Sequence, residues 1–114
     1  LLTLYGISNC DTCKKARKWL DSNSVRYRFH DLRRDGLDGT MLARWAKSVG
    51  WQKLLNTRST TWRGLAATAK QDLDEERAME LMLQHPTLIK RPVLENTKTV
   101  IVGFSVDTYD KVRG

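Results

Sequence analysis

The sequence predicts an α/β protein with a mixed four-stranded sheet, laid out β-α-β and then β-β-α, with an all-helical insert in the middle. Three observations carry this expectation. The first thirty residues read as an apolar run, an amphipathic stretch and an alternating run, which is strand, helix, strand. Near the other end, two β-like runs flank Asn96-Thr97 and precede a last helical stretch. Between these parts, only helical periodicity and turn residues occur. With 114 residues, one domain with a single core is expected, its insert spanning about residues 37–88.

Each element follows from local chemistry. Leu1 to Tyr5 is nearly all apolar, as in a strand buried on both faces, and Gly6 closes it. A helix is expected from about Asp11 to Ser22, with Cys13, Ala16, Trp19 and Leu20 on one stripe and Lys14, Lys15 and Lys18 turned away. Cys13 is therefore expected to be the more buried thiol. Val25, Tyr27 and Phe29 alternate with Arg26, Arg28 and His30, the period of a strand with one wet face. Asp38 is placed to cap a second helix with core positions Leu42, Trp45, Ala46 and Val49, stopped by Gly50. Gln52 to Thr61 reads as loop or short turns. Trp62, Leu65, Ala66 and Ala69 restore helical spacing, and a further helix from about Asp74 to Gln84 carries Asp72 and Glu75 at capping-box spacing before His85-Pro86 ends it. The hairpin pairs Arg91–Glu95 with Lys98–Val102, Ser105 can cap the last helix, and Phe104 is placed to staple onto Tyr109. This order is the layout of a thioredoxin-like fold.

Charge is unevenly distributed. The formal net charge is +7, and residues 11–34 hold Lys14, Lys15, Arg17, Lys18, Arg26, Arg28, Arg33 and Arg34 against Asp11, Asp21 and Asp31. Residues 72–80 reverse the sign, with Asp72, Asp74, Glu75, Glu76 and Glu80 against Arg77. The positive end lies near the cysteines, where it favours anionic small molecules. Core-stripe positions for most tryptophans favour packing over base stacking, so direct nucleic-acid binding is not expected. No apolar run approaches eighteen residues and no charged-then-apolar start is present, so no membrane association and a cytoplasmic location are expected.

The chemistry concentrates in Cys10-Asp11-Thr12-Cys13, between the first strand and its helix. A sulfur at a helix N-terminus meets unpaired N–H groups and the positive end of the macrodipole, which favour thiolate. The second thiol, one turn on, can close on a mixed disulfide. A loop this short restrains little of the unfolded chain, so the pair is read as chemical and redox-active, not as a staple. A metal site would need a second close ligand pair, and His30 and His85 do not supply one. Both histidines are read as structural, with no bound metal or cofactor expected.

Leu4-Tyr5-Gly6 before Asn9-Cys10, the run Cys13-Lys14-Lys15-Ala16-Arg17-Lys18-Trp19-Leu20, and Leu83-Gln84-His85-Pro86-Thr87-Leu88-Ile89-Lys90-Arg91-Pro92 together resemble the bacterial arsenate reductase/Spx family, and most closely its small YffB-type members. The resemblance spans essentially the whole chain. It implies a thioredoxin-like fold, Cys10 as nucleophile, Cys13 as resolving thiol, and a cis Arg91-Pro92 bond that projects Arg91 beside the Cys10 sulfur. It further implies glutathione as co-substrate for a thiol-disulfide oxidoreductase acting on a disulfide substrate, with Asn9, Lys14, Arg58, Arg91 and Pro92 around the bound tripeptide. Two alternatives come from the same family: a redox-sensing Spx-like regulator that binds RNA polymerase, and an arsenate reductase. Glutathione-coupled arsenate reductases resemble this chain but use three arginines around the cysteine. Here Arg91 is retained, Asn56 stands where the first would sit with Arg58 two residues on, and Gly103 stands near the third.

Overall fold

A four-residue, largely buried strand organises the sheet. In the computed structural model, which describes residues 2–113, β1 (Thr3–Gly6) is hydrogen-bonded along both edges, in parallel to β2 (Arg28–Asp31) and antiparallel to β3 (Val93–Glu95). Antiparallel pairing of β3 with β4 (Val100–Val102) completes the order β2-β1-β3-β4. Because β1 is central, Leu4 and Tyr5 are both buried although they point to opposite faces. α1 (Asp11–Ser22) connects β1 to β2, and α7 (Val106–Arg113) follows β4. Entered by β-α-β and left by β-β-α, this mixed sheet is the thioredoxin-like fold.

Contacts divide the chain into two units: residues up to Gly36 together with those from Arg91 onward, and Leu37–Lys90. In the first unit Leu4, Ala16, Leu20, Leu94 and Tyr109 form the core, with Trp19, Phe29 and Ile101 packed against it. Phe104 meets Tyr109 edge-on at 4.8 Å between ring centres, and the Ser105 hydroxyl accepts from the Thr108 N–H at 3.2 Å, so both the staple and the cap expected for α7 form.

The second unit is helical: α2 (Gly39–Val49), α3 (Trp51–Leu54), α4 (Thr60–Gly64), α5 (Ala67–Lys70), α6 (Glu75–Gln84) and a 3-10 turn at Pro86–Leu88. Asp38 caps α2, its Oδ1 accepting from the Met41 N–H at 2.9 Å, and Gly50 ends it at φ 88°, where a side chain would be strained. Leu42, Trp45 and Ala46 are buried along the expected stripe. The end of α3 is tied to the segment after the 3-10 turn by Asn56 N–H to Leu88 O and Lys90 N–H to Leu54 O, both 2.7 Å. Asp38→Ala removes the cap of an exposed helix start; we expect a loss of about 1 kcal/mol, read as a Tm lower by about 3–6 °C.

Four local expectations are corrected. The second strand begins at Arg28, not Val25, because β1 starts at Thr3 and the ladder can run only from Thr3–Arg28 to Gly6–Asp31; Val25 and Tyr27 still pack on the core from the loop. Trp62, Leu65, Ala66 and Ala69 do not share one helix: the chain leaves α4 at Gly64 and passes through extended Leu65 and Ala66 before α5. Short helices α3 and α4 occupy the ends of the stretch expected to be loop. The cap of α6 is Asp74, whose carboxylate accepts from the Arg77 N–H at 2.9 Å, while Asp72 sits two residues earlier at φ 52°.

Candidate functional site

β1 delivers the chain through Ile7-Ser8-Asn9 to Cys10, which occupies the N-cap of α1 in an extended conformation, its carbonyl accepting from the Lys14 N–H at 2.9 Å. An N-cap is usually Ser, Thr, Asp or Asn, whose oxygen satisfies a free amide of the first turn. Here a sulfur stands in that place. It makes no regular capping hydrogen bond, yet it lies where the first-turn amides bear on it. Cys13, one turn on, is 1% exposed, while Cys10 is partly accessible and both thiols are free.

The environments of the two sulfurs push them apart. Burial opposes ionisation of Cys10, but the Cys13 backbone N–H, the Cys13 thiol and the Arg91 guanidinium together outweigh it and hold its pKa below the ordinary thiol value. For Cys13, burial dominates and its pKa is pushed up to about 12, with the facing Cys10 sulfur adding to the effect and the Ile7 N–H and Arg91 opposing it. One thiol is poised as the anion and the other as the donor.

The Arg91-Pro92 bond is cis, as the resemblance implies, and the Arg91 guanidinium bears on both sulfurs. Pro92 is fully buried, and its carbonyl accepts from the Gly103 N–H at 2.8 Å, which fixes the entry to β3. Arg91→Ala should therefore slow iodoacetamide alkylation of Cys10 at pH 6 by roughly three- to tenfold through loss of a charge-assisted hydrogen bond at a partly screened position. An unchanged pH profile in that variant would remove Arg91 from the account.

Other residues anticipated from the sequence stand differently. Asn9 and Lys14 flank Cys10 with exposed side chains. Arg58 belongs to the helical unit, where it is exposed and its N–H donates to the Asn56 side chain at 3.1 Å. Gln52, Asn56, Thr57, Arg58 and Lys90 line a polar cleft of about 350 Å³ within that unit. Gly103 adopts φ 83°.

Two residues with clear structural claims on the site were missed by the sequence reading. Gly6 is more than a strand terminator: a methyl group on its Cα would stand 2.6 Å from the Cys13 sulfur. Asp31, counted there only as a charge in the basic stretch, is 5% exposed and accepts backbone hydrogen bonds from Ser8, Arg33 and Arg34. The sequence holds one clue to it, an acid on the buried phase of β2 just before a turn. Among the described residues, no cluster of three or more His, Cys, Asp or Glu could hold a metal ion, and no helix is long and apolar enough to cross a membrane.

Fold and site together define a thioredoxin-like protein with a paired-thiol site at a helix N-terminus. The model of the ArsC family matches residues 5–112, and the chain belongs to that family. It is 49% identical to a solved protein named YffB, with all of both chains covered and a TM-score of 0.96. An uncharacterized protein of Haemophilus influenzae is 43% identical over 96% of each chain. The global transcriptional regulator Spx of Enterococcus faecalis is 30% identical over 94% of this chain and 82% of its own length.

Proposed function

We propose that this protein is a glutathione-dependent thiol-disulfide oxidoreductase. The observation that carries the reading is a partly accessible Cys10 at the N-cap of α1 with a buried Cys13 one turn on, surroundings that favour the thiolate at the first and the thiol at the second. The Cys10 thiolate attacks a sulfur of the substrate disulfide; a Cys10–substrate disulfide forms, the substrate S–S bond breaks, and the departing thiolate takes a proton from solvent. Cys13 then gives up its proton and attacks the Cys10 sulfur, releasing the second substrate thiol and leaving a Cys10–Cys13 disulfide. Two glutathione thiols return the pair to the dithiol, becoming glutathione disulfide and carrying the two electrons. Burial of Cys13 keeps it protonated until the mixed disulfide is next to it, which orders the two attacks. Asn9, Lys14, Arg91 and Pro92 are the residues assigned to the anionic tripeptide.

The test is glutathione-driven reduction of a small mixed disulfide, with glutathione protection of Cys10 from alkylation measured in parallel. Turnover with protection is expected. Absence of both, with the protein folded and reduced, would overturn the reading. A second reading has its own observation: several relatives bear the name of a global transcriptional regulator. In that reading the same thiols are a redox sensor on a surface that binds RNA polymerase in the cytoplasm, and co-purification with polymerase in the absence of disulfide turnover would favour it. Arsenate reduction ranks third. With Asn56 where the resemblance puts the first arginine and Gly103 near the third, the clamp on a doubly charged anion is short by about 1.5–3 kcal/mol per missing charge-assisted bond.

A further inference from the structure

Asp31 is the one buried acidic residue among the described residues, and no step of the proposed chemistry uses it. A buried carboxylate is costly unless its oxygens are hydrogen-bonded. Here three backbone amides bond it, and they come from two separate segments. Oδ1 accepts from Arg33 at 2.9 Å and Arg34 at 3.1 Å, within the turn after β2. Oδ2 accepts from Ser8 at 3.3 Å, in the loop that leads from β1 to Cys10. The turn is itself braced, because the Asp31 N–H donates to Asp35 Oδ2 at 3.0 Å and the Asp35 N–H to the Asp31 carbonyl at 2.7 Å. Asp31 lies opposite Gly6 in the parallel ladder, which Leu32 N–H to Gly6 O extends by one bond at 2.8 Å. On the other side of the same loop, the Ile7 N–H bears on the Cys13 sulfur.

We infer that Asp31 is a positioning residue for the thiol pair: its carboxylate clamps the Ser8 amide to the end of β2 and so fixes the loop from which Cys10 enters the helix. The start of this loop is then held at two successive points, by the Leu32 N–H on the Gly6 carbonyl and by Asp31 on the Ser8 amide. Cys10 lies two residues beyond this clamp, and its alignment with the Cys13 N–H, the Cys13 thiol and Arg91 depends on where the loop ends. Releasing Ser8 lets Cys10 drift from those three groups while its burial penalty remains.

Asp31→Asn keeps the shape but cannot offer two acceptor oxygens, so at least one segment loses its partner. Loss of charge alone would ease ionisation of a neighbouring thiol, whereas loss of position hinders it, and the two accounts therefore predict opposite signs. The inference rests on Cys10 being the reactive thiolate, so the readout is the pH profile of Cys10 alkylation in folded wild type, Asp31→Asn and Asp35→Asn. Asp35→Asn loosens the same turn without touching Ser8. We expect wild type and Asp35→Asn to coincide, and Asp31→Asn to alkylate roughly three- to tenfold more slowly at pH 6 with its profile moved to higher pH. A profile in Asp31→Asn that is unchanged, or moved to lower pH, overturns the positioning role. An ordinary thiol profile already in wild type overturns the proposed function instead.

Should Asp31→Asn fail to fold, the wild type still decides. Asp31 is held below its usual carboxyl value, burial opposing and the Arg34, Arg33 and Ser8 amides prevailing. The Ser8, Arg33 and Arg34 amide proton resonances should move together below about pH 4, as Asp31 protonates. A Ser8 amide that ignores that titration would sink the clamp.

Discussion

Cys10→Ser should lose turnover of a small mixed disulfide by at least about three orders of magnitude, because a hydroxyl at that position has no accessible anion at neutral pH. Cys13→Ser should behave differently. It leaves Cys10 at the helix start beside Arg91 and removes only the intramolecular resolving step, so a monothiol cycle with glutathione continues. Under limiting glutathione, intact-mass measurement should show a glutathione adduct on Cys10 in Cys13→Ser and none in Cys10→Ser. Full turnover in Cys10→Ser would sink the assignment of the nucleophile. Equal loss in both variants would show that only the dithiol cycle operates. The pH sense is fixed by the two environments: the wild-type rate should persist below the range of an ordinary thiol, since Cys10 is held low, and should not gain a second reactive thiol until pH nears the value of about 12 reached by Cys13.

Gly6→Ala has the largest structural effect expected at the site. Gly6 is the last residue of β1, and the methyl group it would gain meets the Cys13 sulfur at 2.6 Å and the Cys13 Cβ at 3.4 Å. The first distance is well inside van der Waals contact. Cys13 is 1% exposed and sits on a helix face packed into the core, so the sulfur has little room to retreat. Overpacking of this kind costs about 1–3 kcal/mol, and any movement that relieves it turns the Cys13 thiol away from its place beside Cys10. We expect a Tm lower by about 4–15 °C and slower closure of the Cys10–Cys13 disulfide. The partner change isolates the cause: in Gly6→Ala with Cys13→Ala, the obstructing sulfur is gone and most of the lost stability should return. If the double variant is as unstable as the sum of the singles, the clash is not the reason for glycine at this position.

How far the site was legible depends on whether its parts are local in sequence. Cys10, Cys13 and the helix between them occupy consecutive turns, so spacing alone placed both sulfurs at a helix start and ranked Cys13 as the buried one. Arg91 is distant in the chain; composition could not bring it near, and only the resemblance of the segment ending in Arg91-Pro92 did. Gly6 and Asp31 escaped because their significance lies in a pairing, Gly6 opposite Asp31 in the ladder and Gly6 beneath the Cys13 sulfur. Neither relation leaves a periodic trace. Among the helices, Asp38 before an amphipathic run was sufficient to place α2. The Trp62 to Ala69 pattern misled, because apolar spacing says nothing about the extended Leu65-Ala66 step between α4 and α5.

The sequence by itself determined the order of elements, the helix carrying the thiols and the hairpin that follows the helical stretch, because hydrophobic period and capping residues act over one to three turns. Only the tertiary structure decided where β2 starts, that Gly6 leaves room for the Cys13 sulfur, and that Asp31 bonds the loop before Cys10. Strand length is set by the partner strand, a buried carboxylate is tolerated only where amides from separate segments converge, and a glycine is required only where another side chain needs its space.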